Sequence, residues 1–199
     1  MSALSFRIVQ SPSNTPVASS TMEERLRAEL ESQNTELSRL RHATLQDSIT
    51  GGANMRCLAM AYDWLEAGDP VCILMVDVDG FRKVNDALGR DCGDALLTAI
   101  QTAIERDLRW DDVVSREGAD RFAVLLPMAV EEDAWAVGER VRRSIERMCF
   151  GSEKGRFRVT VRIGCASRSG DEPLNPVLAR ADQACRNARR EGGNMVFAI

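Results

Sequence analysis

Carboxylates at two places in this chain have the type and spacing to do cation chemistry. Asp77 and Asp79 stand at the far end of Val71 to Val78, a run that is otherwise almost wholly apolar. Such a run reads as a central strand buried on both faces. Residues two apart on a strand share a face, so the two acids project together. They are either a polar strand end before a turn at Gly80 or a magnesium platform, because hard cations prefer carboxylate oxygens. The second place is Arg109 to Pro127. Val113 and Val114 form one short apolar run and Phe122 to Leu126 another, with Arg116-Glu117-Gly118-Ala119-Asp120-Arg121 between them. Two apolar runs separated by turn-compatible residues predict a β-hairpin. Its charged tip is either solvated surface or a reactive loop.

The elements that position these groups follow from periodicity. Met1 to Thr21 is rich in Ser, Pro and Thr and reads as a disordered tail or linker. Met22 to Gln46 has no Gly or Pro. Leu26, Leu30, Leu37 and Leu40 form a seam with Gln33 in the missing position. This is an amphipathic helix packed on the domain or a parallel dimeric coiled coil, and so short a seam is marginal alone. Gly51-Gly52 stops a helix and Asn54, a good N-cap, starts another over Arg56 to Ala67. Asp94 to Leu108 is an amphipathic helix through Leu96, Leu97, Ile100 and Ile104. Glu131 to Met148 is the next, through Ala134, Val137, Val141 and Ile145. A polar loop at Gly151 to Gly155 precedes a strand over Arg158 to Ala166, with Val159, Val161 and Ile163 on one side. Pro173 to Glu191 is the last helix and Val196 to Ile199 the last strand.

Composition narrows the class. A chain of 199 residues suits one domain of about 150 residues plus an appendage. A formal charge of -4 argues against a general nucleic-acid binder. The six cysteines form no C-x-x-C pair and read as reduced, buried thiols of a cytosolic protein. No run approaches the ~18 apolar residues of a membrane span, and the N-terminus has no signal-peptide core. The single histidine, His42, reads as a solvated surface residue, which excludes a histidine-based metal site.

Four segments, in order over roughly Asp47 to Ile199, resemble the GGDEF family, the diguanylate cyclases. Gly118-Ala119-Asp120-Arg121-Phe122 resembles the signature hairpin R-x-G-G-[DE]-E-F-A. Asp77-Val78-Asp79-Gly80-Phe81-Arg82-Lys83-Val84-Asn85-Asp86, followed by Gly89, Gly93 and Asp94, resembles D-x-D-x-F-K-x-[IV]-N-D…G…G-D. Asp47 to Arg56 resembles D-x-L-T-G-L-x-N-R, with Gly52 in place of leucine. Ala181 to Asn194 resembles A-D-x-A-L-Y-x-A-K-x-x-G-R-N. The resemblance implies an α/β (α+β) sandwich of the nucleotide-cyclase, palm-like kind. A central, mostly antiparallel five-stranded sheet is flanked by helices and preceded by a long N-terminal helix. The expected division is a tail at 1–21, a helix at 22–46 and the GGDEF domain at 47–199.

The same resemblance assigns roles. Asp77, the Val78 carbonyl and Asp120 occupy the metal positions, for magnesium. Backbone amides around Gly80 and Phe81 would cradle phosphates. Asn85 and Asp94 would read guanine, an amide and a carboxylate suiting its mixed donors and acceptors; their plainer readings are a turn or cap residue and a helix N-cap. Phe81, Asn85, Asp94 and Gly118 make up the GTP-binding set. Arg109-x-x-Asp112 matches the R-x-x-D motif that binds the product, cyclic di-GMP. Arg140 is either a second arginine of that site or one more charge on a solvated helix face.

Four departures fall on the substrate side. Gln183 and Asn187 stand where the family commonly has Lys and Arg, and Arg186 is expected to face another way. Ala119 replaces a glycine where the loop would need positive φ. Arg121 replaces the signature glutamate. At ~4 Å and an effective dielectric of ~20 a unit charge pair is worth about 4 kcal/mol, so a guanidinium in place of a carboxylate opposes a divalent ion. The expectation is a degenerate GGDEF domain, a cyclic di-GMP-binding regulatory protein with little or no cyclase activity. The alternatives are a diguanylate cyclase joining two GTP, or a dimerising interaction module without nucleotide. Homodimerisation through the N-terminal helix, a signalling protein partner and a cytoplasmic location complete the expectation, with no nucleic acid and no membrane.

Overall fold

The computed structural model describes residues 22, 24–33, 45–152 and 155–199. The chain divides into two units, Met1–Ala43 and Thr44–Ile199. In the first, residues 24–33 are helical and leave Leu26 and Leu30 half exposed. The expectations for the first 21 residues, for Leu37 and Leu40 and for His42 lie outside the described residues.

The second unit is built on β2 (Val71–Val78), in which only Asp77 is not buried. Antiparallel to it on one side runs β4 (Arg121–Pro127) and on the other β7 (Val161–Ser167). β3 (Val113–Arg116) closes the expected hairpin with β4. β8 (Val196–Ala198) adds in parallel to β7. The expected five strands are thus β3-β4-β2-β7-β8, and a two-residue strand, β1 (Ala53–Asn54), pairs in parallel with β3 to make a sixth.

Side chains alternate across this sheet, so each face buries its own core. Cys72, Leu74 and Val76 pack with Phe122, Val124, Ile163 and the helices α3 (Arg90–Arg106) and α4 (Glu131–Arg147). Ile73 and Met75 pack on the other face with Ala123, Leu125, Ala166 and the helices α1 (Met55–Asp63) and α5 (Leu174–Arg190). Asp77, Arg121 and Arg162 follow the parity of this second face. Helix α5 lies hard against β7. A Cβ on Gly164 would stand 2.0 Å from the Ala181 carbonyl oxygen and 2.2 Å from the Cys185 nitrogen, so only glycine permits the approach.

Helix termini obey local chemistry. The Asn54 side chain accepts from the Arg56 and Cys57 amides, capping α1 as expected. That helix ends at Asp63 rather than Ala67, because Trp64 and Leu65 tighten into bonds on Ala61 and Tyr62. Asp94 does not cap α3. The helix α2 (Phe81–Leu88) ends at Gly89, whose φ of +89° suits glycine, and α3 starts at once, four residues before Asp94. The flanks of the polar loop read at Gly151 to Gly155 pair as a small antiparallel ladder, β5 (Phe150–Ser152) with β6 (Gly155–Phe157). Phe150 and Phe157 stack across it with centroids 5.5 Å apart, a pairing of distant aromatics that periodicity does not reveal. The ladder delays β7 to Val161.

All six cysteines are free thiols. Cys72, Cys165 and Cys185 are buried as expected, whereas Cys149 is exposed. No helix among the described residues is long and apolar enough to cross a membrane.

Candidate functional site

Sheet register sets the site. Asp77 stands directly opposite Arg121 on β4 and directly opposite Arg162 on β7. Cross-strand neighbours on one face lie within side-chain reach, so an aspartate is flanked by two guanidinium groups in one row. Arg162, only 8% exposed, ion-pairs with Asp77 through Nη2, and its Nη1 lies 2.7 Å from Asp79 Oδ1. The other Asp79 oxygen accepts from Thr160 Oγ1 at 2.7 Å and from the Asn194 amide at 3.0 Å. Arg121 turns to its own partners, with Nε 3.0 Å from Glu117 and Nη2 2.6 Å from Asp182.

Helix α5 closes the row. Asp182, Cys185, Arg186 and Arg189 share one helical face and, with Asp77, Arg121 and Arg162, line a cavity of about 180 Å³. Arg186 lies on this cavity, paired with Asp182, because residues four apart on a helix stack on one face. Gln183 and Asn187 bond to each other at 3.1 Å. Burial pushes the Cys185 thiol up to about 12, which leaves it protonated and inert as a nucleophile.

Asp77 and Asp79 do not present an open carboxylate platform for a divalent ion. Both oxygens of Asp79 and one of Asp77 already have donors, and the Arg162 guanidinium stands between the two carboxylates. Asp77 Oδ1 alone is buried without a partner. Burial raises the Asp77 carboxyl above its ordinary value, Arg162 opposes the rise and the charge of Asp120 adds to it. Burial disfavours the Arg162 charge, but the Asp79 hydrogen bond and the charges of Asp77 and Asp79 outweigh it and hold the guanidinium above its ordinary value. Arg162, therefore, is the firmly ionised member. Val78 is held in the sheet, its amide donating to the Asp120 carbonyl at 3.1 Å. Among the described residues no cluster of three or more His, Cys, Asp or Glu could hold a metal ion.

The hairpin tip is anchored from outside. Arg116 Nη1 lies 3.1 and 3.2 Å from the two Asp47 carboxylate oxygens, and its Nη2 donates to the Ala119 carbonyl at 3.0 Å. Ala119 does not take the positive φ expected of it; among the described non-glycine residues only Met128 and Asn194 do. The Arg121 carbonyl accepts both the Glu117 and Gly118 amides, so the tip closes without left-handed backbone.

The expected guanine readers sit at the α2–α3 joint. Phe81 is buried at the start of α2. Asn85 packs on Gly93, with its Oδ1 buried and unpartnered, and Asp94 follows in an exposed position. Gly118 is exposed on the hairpin, on a different segment from those three.

Arg109, Asp112 and Arg140 meet at another corner. Asp112 Oδ2 accepts the Arg109 amide at 2.7 Å, closing the loop between α3 and β3. Arg140, on α4, donates through Nε and Nη2 to the Asp107 carbonyl at 3.1 and 2.5 Å. Burial raises the Asp112 carboxyl above its ordinary value, while the Arg109 amide and the charges of Arg109 and Arg140 pull against the rise. A groove of about 620 Å³ runs along α4 beside Arg140, lined also by Trp135, Arg143 and Arg147. The Arg109 and Arg140 side chains are themselves exposed.

Sequence reasoning does not find Arg162, Thr160, Asn194 or Asp182. The alternation of Val159, Val161 and Ile163 does place Thr160 and Arg162 on the opposite face, but the register that sets Arg162 against Asp77 is not written in either strand.

A model described as "Diguanylate cyclase, GGDEF domain" matches residues 44–195. The response regulator PleD of Caulobacter vibrioides is 32% identical over 158 residues, covering 75% of this chain and 35% of PleD. The diguanylate cyclase DgcM of Escherichia coli is 32% identical over 171 residues, covering 80% and 39%. The chain thus spans little more than a third of these curated relatives. The coiled coil and GGDEF domain of DgcB from Caulobacter crescentus, solved in complex with c-di-GMP, superposes with a TM-score of 0.80 at 26% identity, over 90% of this chain and 100% of that one. The diguanylate cyclase SiaD from Pseudomonas aeruginosa, solved with its activator SiaC, gives 0.75 at 30% identity, over 91% and 75%. With the strand order, the hairpin and the α2–α3 joint all in place, this chain belongs to the diguanylate cyclase GGDEF-domain family.

Proposed function

We propose that this chain is a degenerate GGDEF domain that binds cyclic di-GMP as a signal and makes little or none of it. The observation that carries the reading is Arg121, a guanidinium in the signature hairpin on the residue directly opposite Asp77, paired with Glu117 and Asp182. Phosphoryl transfer between two nucleotides needs charge neutralised at the reacting phosphates, and Asp77, one of the two acids expected to hold magnesium for it, is engaged by Arg162. At the other corner Arg109, Asp112 and Arg140 keep the types and placement that suit the cyclic dinucleotide. Arg109 forks onto a phosphate or the Hoogsteen edge of guanine, and Asp112 accepts from guanine N–H groups. The DgcB structure, described as a complex with c-di-GMP, supports such a ligand. Ligand binding there acts as a signal by favouring one of two domain or partner arrangements.

Calorimetry of cyclic di-GMP against the wild type and Arg109→Ala tests this. Heat with the wild type and a loss of about tenfold or more in the variant is expected, since a charged hydrogen bond is worth about 1.5–3 kcal/mol. No heat with the wild type ends the reading. The names of the relatives favour a second reading, a cyclase that retains Asp77 and Asp120 for metal and joins two GTP. Incubation with GTP and magnesium, followed by chromatography, decides it. Exposure of Leu26 and Leu30 on residues 24–33 supports homodimerisation through that helix. Light scattering of the chain with and without residues 1–46 tests it, and also the reading as a dimerising module without nucleotide.

A further inference from the structure

We propose that Arg162 is a built-in counter-ion at Asp77 and Asp79. It does the electrostatic work of a divalent cation, so the wild-type acids take none, and removing the guanidinium opens a metal site. The inference is independent of cyclic di-GMP binding. Three observations carry it. Arg162 bridges the two carboxylates through two different nitrogens, as one cation held between two anions. It is 8% exposed, so its charge is poorly screened by water and the pair is not a passing surface contact. Register also fixes it, because Arg162 is the cross-strand partner of Asp77 and β7 is pinned from behind by α5 at Gly164.

The remaining groups fit the same account. Thr160 Oγ1 and the Asn194 amide satisfy the Asp79 oxygen that Arg162 leaves, so that carboxylate is complete without metal. Asp77 Oδ1 is the one oxygen left over, with the Asp120 charge acting nearby. Without the guanidinium, Asp77 and Asp79 would face each other with uncompensated charge, and a hard cation with oxygen ligands is the species that relieves it. Arg121 adds a second positive group on the other flank, but its hydrogen bond to Asp182 draws it toward α5.

The test is a manganese titration of the full chain, read by the loss of the free Mn²⁺ electron-spin signal. Wild type, Arg162→Ser, the bulkier Arg162→Gln and Arg162→Ser with Asp77→Asn are compared, with folding followed by circular dichroism. The wild type is expected to leave the signal unchanged. Arg162→Ser or Arg162→Gln is expected to bind Mn²⁺ at least about tenfold more tightly, a gain of about 1.4 kcal/mol, and the added Asp77→Asn to abolish that binding. A variant that folds only when Mn²⁺ is present gives the same support. The proposal is overturned if the wild type takes up Mn²⁺ in an Asp77-dependent way. It is equally overturned if neither single variant binds Mn²⁺ or is refolded by it. Cyclic di-GMP is titrated against the same proteins, so a failure here is distinct from a failure at Arg109.

Discussion

Restoring the signature acid by Arg121→Glu should damage this domain rather than repair it. Arg121 donates to Asp182 at 2.6 Å and pairs with Glu117 at 3.0 Å, all three groups being less than a third exposed. A hydrogen bond between charged groups is worth about 1.5–3 kcal/mol. The Glu117 contact lacks hydrogen-bond geometry at Nε and counts as an ion pair of about 0.5 kcal/mol. Replacing the cation by an anion also sets the introduced carboxylate against Asp182, Glu117 and Asp77, a repulsion of roughly 1 kcal/mol at this exposure. The sum is about 3–4.5 kcal/mol, which for a domain of this size lowers the melting temperature by about 6–18 °C. Differential scanning calorimetry at neutral pH without divalent ions reads it directly, and GTP turnover is measured on the same sample. No turnover is expected, because Arg162 still holds Asp77 and Asp79. A variant that melts with the wild type would refute the ion-pair reasoning. One that condenses GTP would refute the placement of Arg162 as the second obstacle.

Other expectations follow from particular contacts. Asp112 must be ionised to accept from guanine, and its carboxyl sits above the ordinary value of 3.8. Cyclic di-GMP affinity should therefore fall on acidification before an unperturbed aspartate would protonate; calorimetry from pH 7 downward, with Asp112→Asn as the pH-insensitive control, checks this. Gly164→Ala should cost about 1–3 kcal/mol or more by overpacking, since its methyl would meet backbone atoms of α5. The urea midpoint reads the loss. The Arg180 hydrogen bond holds Glu172 below its ordinary value of 4.5. Its stabilisation is complete above that pH and is lost as pH falls through the lower folded-state value. Acid unfolding of Glu172→Gln should accordingly be flatter over that range than in the wild type.

The parts legible in the sequence are those with a strong local signal. Val71 to Val78 is apolar enough to be a buried central strand and nothing else, and two short apolar runs around Gly118 leave little choice but a hairpin. Asn54 caps its helix because the cap is a matter of three neighbouring residues. Sequence reasoning fails where a distant contact decides the outcome. Arg162 reads locally as the polar face of a strand, and only antiparallel register with β2 sets it against Asp77. The start of α3 is misplaced because Asp94 is a good cap in isolation, while a glycine five residues earlier already turns the chain.

Arg116 has a mechanical consequence. One of its guanidinium nitrogens grips Asp47, at the head of the domain, and another grips the carbonyl of Ala119 in the hairpin. The backbone between Gln46 and Ala53 is bridged as well, and β1 is zipped to β3. A single side chain thus ties the first turn of the domain to the loop bearing Asp120 and Arg121, so a displacement of Asp47 strains the hairpin tip as well.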